Sequence, residues 1–158
     1  MGERECYTCA NNARIGALPP NEDIEVRGAW RLAHAFGTSL PGWLVAVPTR
    51  HVTALDELEP AEAGQMGEIL QRASRALREV FECEKAYFVF FAEQEGFGHL
   101  HVHVIPRMPW FTAEQRGPGV FSFLGRSAQD AWLPDAERDR IALSVRAALP
   151  RDSSESVW

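Results

Sequence analysis

The chain has 158 residues, 46% of them apolar and 24% charged, with a formal net charge of −6. That length suits one compact domain, and the composition excludes a collagen-like or largely disordered chain. The acidic balance argues against a nucleic-acid-binding surface, although a local pocket can still take a small anion.

Residues 1–20 read as a loop-rich lead. Met1 to Ala10 holds charges and two cysteines where a signal peptide would hold an apolar core. No apolar run reaches the roughly 20 residues of a membrane helix, so a cytoplasmic protein is expected. The lead carries Cys6-Tyr7-Thr8-Cys9, and the third cysteine, Cys83, follows a helical pattern. An odd count is no disulfide framework. The C-x-x-C is a redox pair, half of a metal site, or two incidental thiols. Asn11, Asn12, Gly16, Pro19 and Pro20 favour a loop after it, which suits a redox pair poorly.

Two short strands are predicted at Ile24-Glu25-Val26 and Trp30-Arg31-Leu32-Ala33-His34, the second half-buried by its alternation. Pro41-Gly42 marks a turn. Trp43-Leu44-Val45-Ala46-Val47 reads as a central strand ending at Pro48. Pro60 opens a long helix, with Met66, Ile69, Leu70, Ala73, Leu77, Val80 and Phe81 along one stripe. Glu68, Arg72, Arg75 and Arg78 mark its wet face. Residues 85–92 read as a strand buried on both faces. Residues 93–98 form a short connection and 99–105 another strand, stopped by Pro106. Residues 108–130 are loop-like. Pro134 opens a second helix with Ile141, Val145, Ala148 and Leu149 inside. The pattern predicts an α+β fold with a largely antiparallel sheet. One domain is expected over residues 1–151, with 152–158 a loose tail.

Three of the five histidines lie in His99-Leu100-His101-Val102-His103-Val104-Ile105. On a strand they share one face at about 7 Å spacing, and Leu100, Val102 and Val104 take the other. The row is a solvent-facing strand, a single metal site, or a site for chemistry on a phosphate ester. Residues i, i+2 and i+4 of one strand diverge too far for one ion with bonds of about 2 Å. A near-neutral imidazole is a competent nucleophile and general acid.

This triad resembles that of the histidine triad (HIT) superfamily. Leu44-Val45-Ala46-Val47-Pro48-Thr49-Arg50-His51 is similar to the family's strand, proline and following histidine. The long helix, the strand before the triad and Pro106-Arg107 fall where the family has them. The resemblance implies a HIT-like fold and a nucleotide substrate cut at its α-phosphate. His101 would be the nucleophile, forming a nucleotidyl-histidine intermediate, and His103 would orient the phosphate. It also implies structural zinc on Cys6, Cys9, His51 and His99, a closed Cys₂His₂ shell, and a homodimer. Plausible substrates are phosphoramidates, dinucleoside polyphosphates and nucleotide sugars, hydrolysed or transferred. Alternatives are a nucleotide-binding or scaffold protein with little turnover, and a hydrolase with a catalytic metal.

Several positions depart from the family. The connection before the triad is short and acidic, with Glu93 and Glu95. Gln94, Gly96 and Gly98 are the candidate phosphate binders there. Trp43 stands where some members have histidine, against ligand or in the core. His34 suits a surface strand better than a ribose contact. Arg107 and Arg116 reach phosphates or make ordinary ion pairs.

Overall fold

A computed structural model describes residues 5–152; residues 153–158 of the expected tail lie outside it. Three helices are present, α1 (Tyr7–Asn12), α2 (Pro60–Phe81) and α3 (Asp135–Ala148). The strands are β1 (Glu25–Arg27), β2 (Trp30–His34), β3 (Leu44–Pro48), β4 (Lys85–Val89) and β5 (Val102–Arg107). They form one five-stranded sheet in the order β1-β2-β3-β5-β4, antiparallel throughout. The expected α+β class with its long helix and C-terminal helix is the observed fold. No helix among the described residues is long and apolar enough to cross a membrane.

Alternation along the strands gives the sheet two different faces. Trp30, Leu32, Leu44, Ala46, Val102 and Val104 enter the core with Ile69, Ala73, Ala76 and Leu77 of α2. The helix starts with a capping box between Glu59 and Glu62, which satisfies two of its otherwise orphaned N–H groups. Its single apolar stripe covers one side of the sheet. The opposite face presents Arg31, Ala33, Val45, Val47 and His103. The register aligns Arg31 with Val47, and Ala33 with Val45 and Val45 with His103. The histidine on β5 therefore stands two strand spacings, about 10 Å, from Ala33 on β2.

Several local expectations are corrected. The C-x-x-C does not lie in a loop: Cys6 caps α1, and its sulfur accepts the Cys9 N–H at 3.4 Å. Strand β2 is buried throughout, not half-exposed. Of its polar members, Arg31 is held by Asn12 and Glu22 and His34 by the Ala35 carbonyl and the Gly42 N–H. Strand β4 is an edge strand, and Phe88, Phe90 and Phe91 are exposed instead of buried. The triad strand begins at Val102, so His99 and His101 precede it. The Leu100 N–H bonds to the Val52 carbonyl, outside the sheet ladder. Within the expected loop 108–130 the chain forms short 3-10 turns, among them Gly117–Phe123 and Gly125–Ala131. Asp152, placed in the loose tail, pairs with Arg27 at 2.9 Å.

His34 shows how the fold uses a buried imidazole. Its Nδ1–H donates to the Ala35 carbonyl at 2.8 Å, and its Nε2 accepts the Gly42 N–H at 3.0 Å. Gly42 is required in that turn: its φ is +82°, and a Cβ there would come within 2.6 Å of the Phe81 ring. His34 is a neutral brace between β2 and the turn, not the surface histidine expected.

Candidate active site and metal centre

The open face of the sheet is the floor of a cavity of about 380 Å³. His101 and His103 stand at one side, with their rings 5.0 Å apart and nearly perpendicular. Tyr7, Phe36 and Phe97 form a tilted aromatic cluster on the wall, with centroids 5.2–5.7 Å apart. Phe121 and Trp132, from the C-terminal third, complete the enclosure. Ala92, at φ +53°, turns the chain after β4 so that Glu93 and Gln94 also line the cavity.

The hydrogen bonds set the two imidazoles in opposite tautomers. His101 Nδ1 lies 2.9 Å from the His99 carbonyl oxygen, which only accepts, so Nδ1 carries the proton. The Nε2 lone pair of His101 is then free to act as a nucleophile. His103 Nδ1 lies 3.0 Å from Trp43 Nε1. An indole N–H only donates, so Nδ1 holds the lone pair and Nε2 the proton. Burial, and then the neighbouring His101, push the His103 pKa down to about 4. One neutral imidazole can attack while the other offers a hydrogen bond. Trp43 is fully buried behind this pair.

A second polar cluster lies across the floor. Arg31, 2% exposed, donates to Asn12 Oδ1 at 2.8 Å and to the Glu22 carboxylate at 3.2 Å. The Tyr7 hydroxyl donates to the other Glu22 oxygen. Burial and that contact push Tyr7 up to about 12. Asn12 Nδ2 also bonds the Pro48 and Thr49 carbonyls at 3.1 and 3.2 Å. This network clamps α1 to the ends of β2 and β3.

Cys6, Cys9, His51 and His99 come together beside the cavity, their ligand atoms all within 4.8 Å of one another. His99 Nδ1 is 3.5 Å from both cysteine sulfurs, and His51 Nδ1 is 3.2 Å from Cys9 Sγ. Tetrahedral zinc, with bonds of about 2.3 Å to sulfur and about 2.0 Å to nitrogen, would set such pairs about 3.6 Å apart. His99 Nε2 lies 2.9 Å from the Pro48 carbonyl and must donate to it. That leaves the Nδ1 lone pair facing the thiols, the arrangement a metal-binding histidine needs. The four residues fit a metal ion.

The remaining candidates separate. Gln94 lines the large cavity, whereas Gly96 and Gly98 line a smaller one with Cys6, His51 and His99. Arg107 pairs with Glu84 at 3.1 Å, and Arg116 is exposed; neither lines the cavity. Sequence reasoning missed the Trp43–His103 bond and the walls from Phe121 and Trp132. In sequence Trp43 reads only as a departure from the family pattern, and the C-terminal walls lie in a stretch without periodicity.

The HIT domain family matches residues 33–109, from β2 through the triad. Residues 33–109 are a HIT domain of the histidine triad superfamily. This HIT chain is 24% identical, over 127 residues, to a bis(5'-nucleosyl)-tetraphosphatase (asymmetrical) of Schizosaccharomyces pombe. That alignment takes in 72% of the chain and 66%, about two thirds, of the relative. A Zn-bound histidine triad family protein from Mycobacterium smegmatis shares the fold. Its TM-score is 0.67 at 22% identity, over 93% of this chain and 94% of that one. A histidine triad protein from Sinorhizobium meliloti 1021 superposes with a TM-score of 0.66 at 23% identity, over 81% and 89% of the two chains.

Neutral buried imidazoles make the HIT fold acid-sensitive. His34 is pushed down to about 4, chiefly by burial, against 6.5 when free. Between those values the unfolded state binds a proton that the folded state refuses. Its stability contribution is therefore complete above about pH 6.5 and is lost as pH falls towards 4, at about 1.4 kcal/mol per unit. In urea unfolding, the loss between pH 7 and pH 5 should be about 2 kcal/mol smaller for His34→Gln than for the unsubstituted protein. Equal losses would mean that His34 is not held neutral.

Proposed function

We propose that this HIT chain is a nucleotide hydrolase or transferase acting at the α-phosphate of a nucleotide conjugate. The opposed tautomers of His101 and His103 carry this reading. His101 Nε2 attacks phosphorus, and the bond to the leaving group breaks, giving a nucleotidyl-histidine. Water, or an acceptor phosphate, then attacks, and the electron pair of the N–P bond returns to Nε2. His103 Nε2–H supports a phosphoryl oxygen as its charge develops. The aromatic cluster and apolar floor suit a base and ribose, with Gln94 as the candidate phosphate partner in the cavity wall. The tetraphosphatase activity named for the S. pombe relative agrees with this class. Phosphoramidates, dinucleoside polyphosphates and nucleotide sugars are the candidate substrates.

Zinc on Cys6, Cys9, His51 and His99 completes the reading. Four protein ligands leave no open position, so the ion serves structure and not catalysis. It would join the lead to the triad segment. Residues 1–151 act as one HIT-like unit, placed in the cytoplasm. A homodimer follows from the resemblance, and the exposed Phe88, Phe90 and Phe91 at the β4 edge offer it an apolar surface.

A panel of adenosine phosphoramidate, diadenosine tetraphosphate and a nucleotide sugar tests the assignment. Turnover of at least one, releasing a nucleoside monophosphate, is expected. The second reading, a binding protein with little turnover, draws on Glu93 in the cavity wall, where it opposes phosphate charge. Tight nucleotide binding without turnover of any of the three would favour it.

A further inference from the structure

Proton supply in the cavity points to a substrate class, given the nucleotidyl-transfer reading above. We propose that Trp43 is a positioning residue that locks His103 as an N–H donor unable to act as a general acid. This restricts the chain to leaving groups that depart as anions, phosphoric anhydrides rather than phosphoramidates.

The lock is chemical. Trp43 Nε1–H occupies His103 Nδ1 at 3.0 Å, and the indole has no lone pair with which to reverse roles. Protonating Nδ1 would set two N–H groups against each other, with the indole side of the contact fully buried. A neutral imidazole that surrendered its remaining Nε2 proton would become an imidazolate. His103 can therefore stabilise charge but cannot release a proton.

The other groups facing the cavity do not replace it. His101 is the nucleophile, with its single proton held by the His99 carbonyl. His34 has both nitrogens engaged, by the Ala35 carbonyl and the Gly42 N–H. The Tyr7 hydroxyl already donates to Glu22. Glu22 is occupied by Tyr7 and Arg31. Arg31 has its donors engaged by Asn12 and Glu22, and Glu93 adds a carboxylate acceptor. Among the described residues of the cavity, no group stands ready to protonate a departing atom.

The consequence depends on the bond being broken. When His101 Nε2 attacks an anhydride, the N–P bond forms and the bridging P–O bond breaks. The electron pair leaves on a phosphate anion, which needs no proton. Cleaving a P–N bond the same way would expel an amide anion, so the nitrogen must be protonated first. General acid catalysis of that kind is worth roughly 10²–10⁴-fold. Water then attacks phosphorus, its proton passes to solvent, and His101 regains its lone pair.

Two measurements decide the matter. Nitrogen NMR of the intact protein should show His103 with an unprotonated Nδ1 and a protonated Nε2, and Trp43→Phe should abolish that pattern. A mixed or Nδ1–H form in the unsubstituted protein overturns the lock. Rapid-quench adduct formation is then compared at saturating diadenosine tetraphosphate with magnesium and at saturating adenosine 5′-phosphoramidate. The anhydride should react at least about 10²-fold faster, and Trp43→Phe should shrink that ratio about tenfold or more. Equal rates, or a ratio that Trp43→Phe leaves unchanged, overturn the substrate rule. Reaction with neither compound overturns the functional reading beneath it, and the NMR result separates that failure from a failure of the lock.

Discussion

Replacing His101 by alanine is expected to lower turnover by at least about 10³-fold while leaving nucleotide affinity within a few-fold. Nothing else in the cavity can take its place. His103 presents a proton at Nε2, and its Nδ1 is committed to Trp43. His34 has no unengaged nitrogen. A loss of about 10³-fold corresponds to about 4 kcal/mol of transition-state stabilisation, within the range of a removed nucleophile. The substitution leaves the mutual contacts of Tyr7, Phe36 and Phe97 in place, so binding should survive. Steady-state kinetics with isotopically labelled nucleotide, together with calorimetric titration of the product monophosphate, separates the two effects. Equal loss of binding and turnover would make His101 a contact residue and not the nucleophile.

Cys9→Ser carries the second large effect. Cys9 Sγ contacts both His51 and His99, so this substitution removes the sulfur that joins the two histidines. Helix α1 has six residues, too short to persist unaided. Its remaining anchors include the Asn12 bonds to Arg31, Pro48 and Thr49. The expected result is loss of bound zinc from about one per chain to near zero. Stability should fall by about 4 kcal/mol or more, with faster amide exchange across α1. Turnover should decline with the folded population and not recover on simple addition of metal. Tyr7 and Thr8 lie between the cysteines and line the cavity, so nucleotide affinity should weaken as well. Elemental analysis and urea unfolding measure the main effects. Full zinc occupancy in Cys9→Ser would contradict the ligand set.

The parts of this molecule legible in sequence are those governed by one strong local signal. The stripe from Ile69 to Leu77 sets α2, and the turn residues around Pro41 and Gly42 delimit β2 and β3. Alternation sends Leu100, Val102 and Val104 into the core, and all three are buried there. The local pattern failed where a distant segment decided the environment. Arg31 occupies the polar phase of an alternating strand, yet Glu22 and Asn12 bring it partners and bury it. Phe88 and Phe90 have strong β propensity, but propensity says nothing about edge or centre. His99, His101 and His103 form one row in the sequence, and the fold divides them between two cavities. The pairing of the lead with His51 and His99 came through family resemblance, because spacing alone cannot join segments about 40 and 90 residues apart. The tautomers of His101 and His103 required the positions of a carbonyl and an indole that no sequence pattern specifies.

The central claim is that His101 Nε2 becomes covalently attached to a nucleotide. The direct measurement is intact-protein and peptide mass spectrometry after acid-free quenching of a reaction with diadenosine tetraphosphate. The expected result is a mass increase of one adenylyl group, mapped to His101, transient in the unsubstituted protein and absent from His101→Ala. Turnover without any adduct, or an adduct at another residue, would contradict the account.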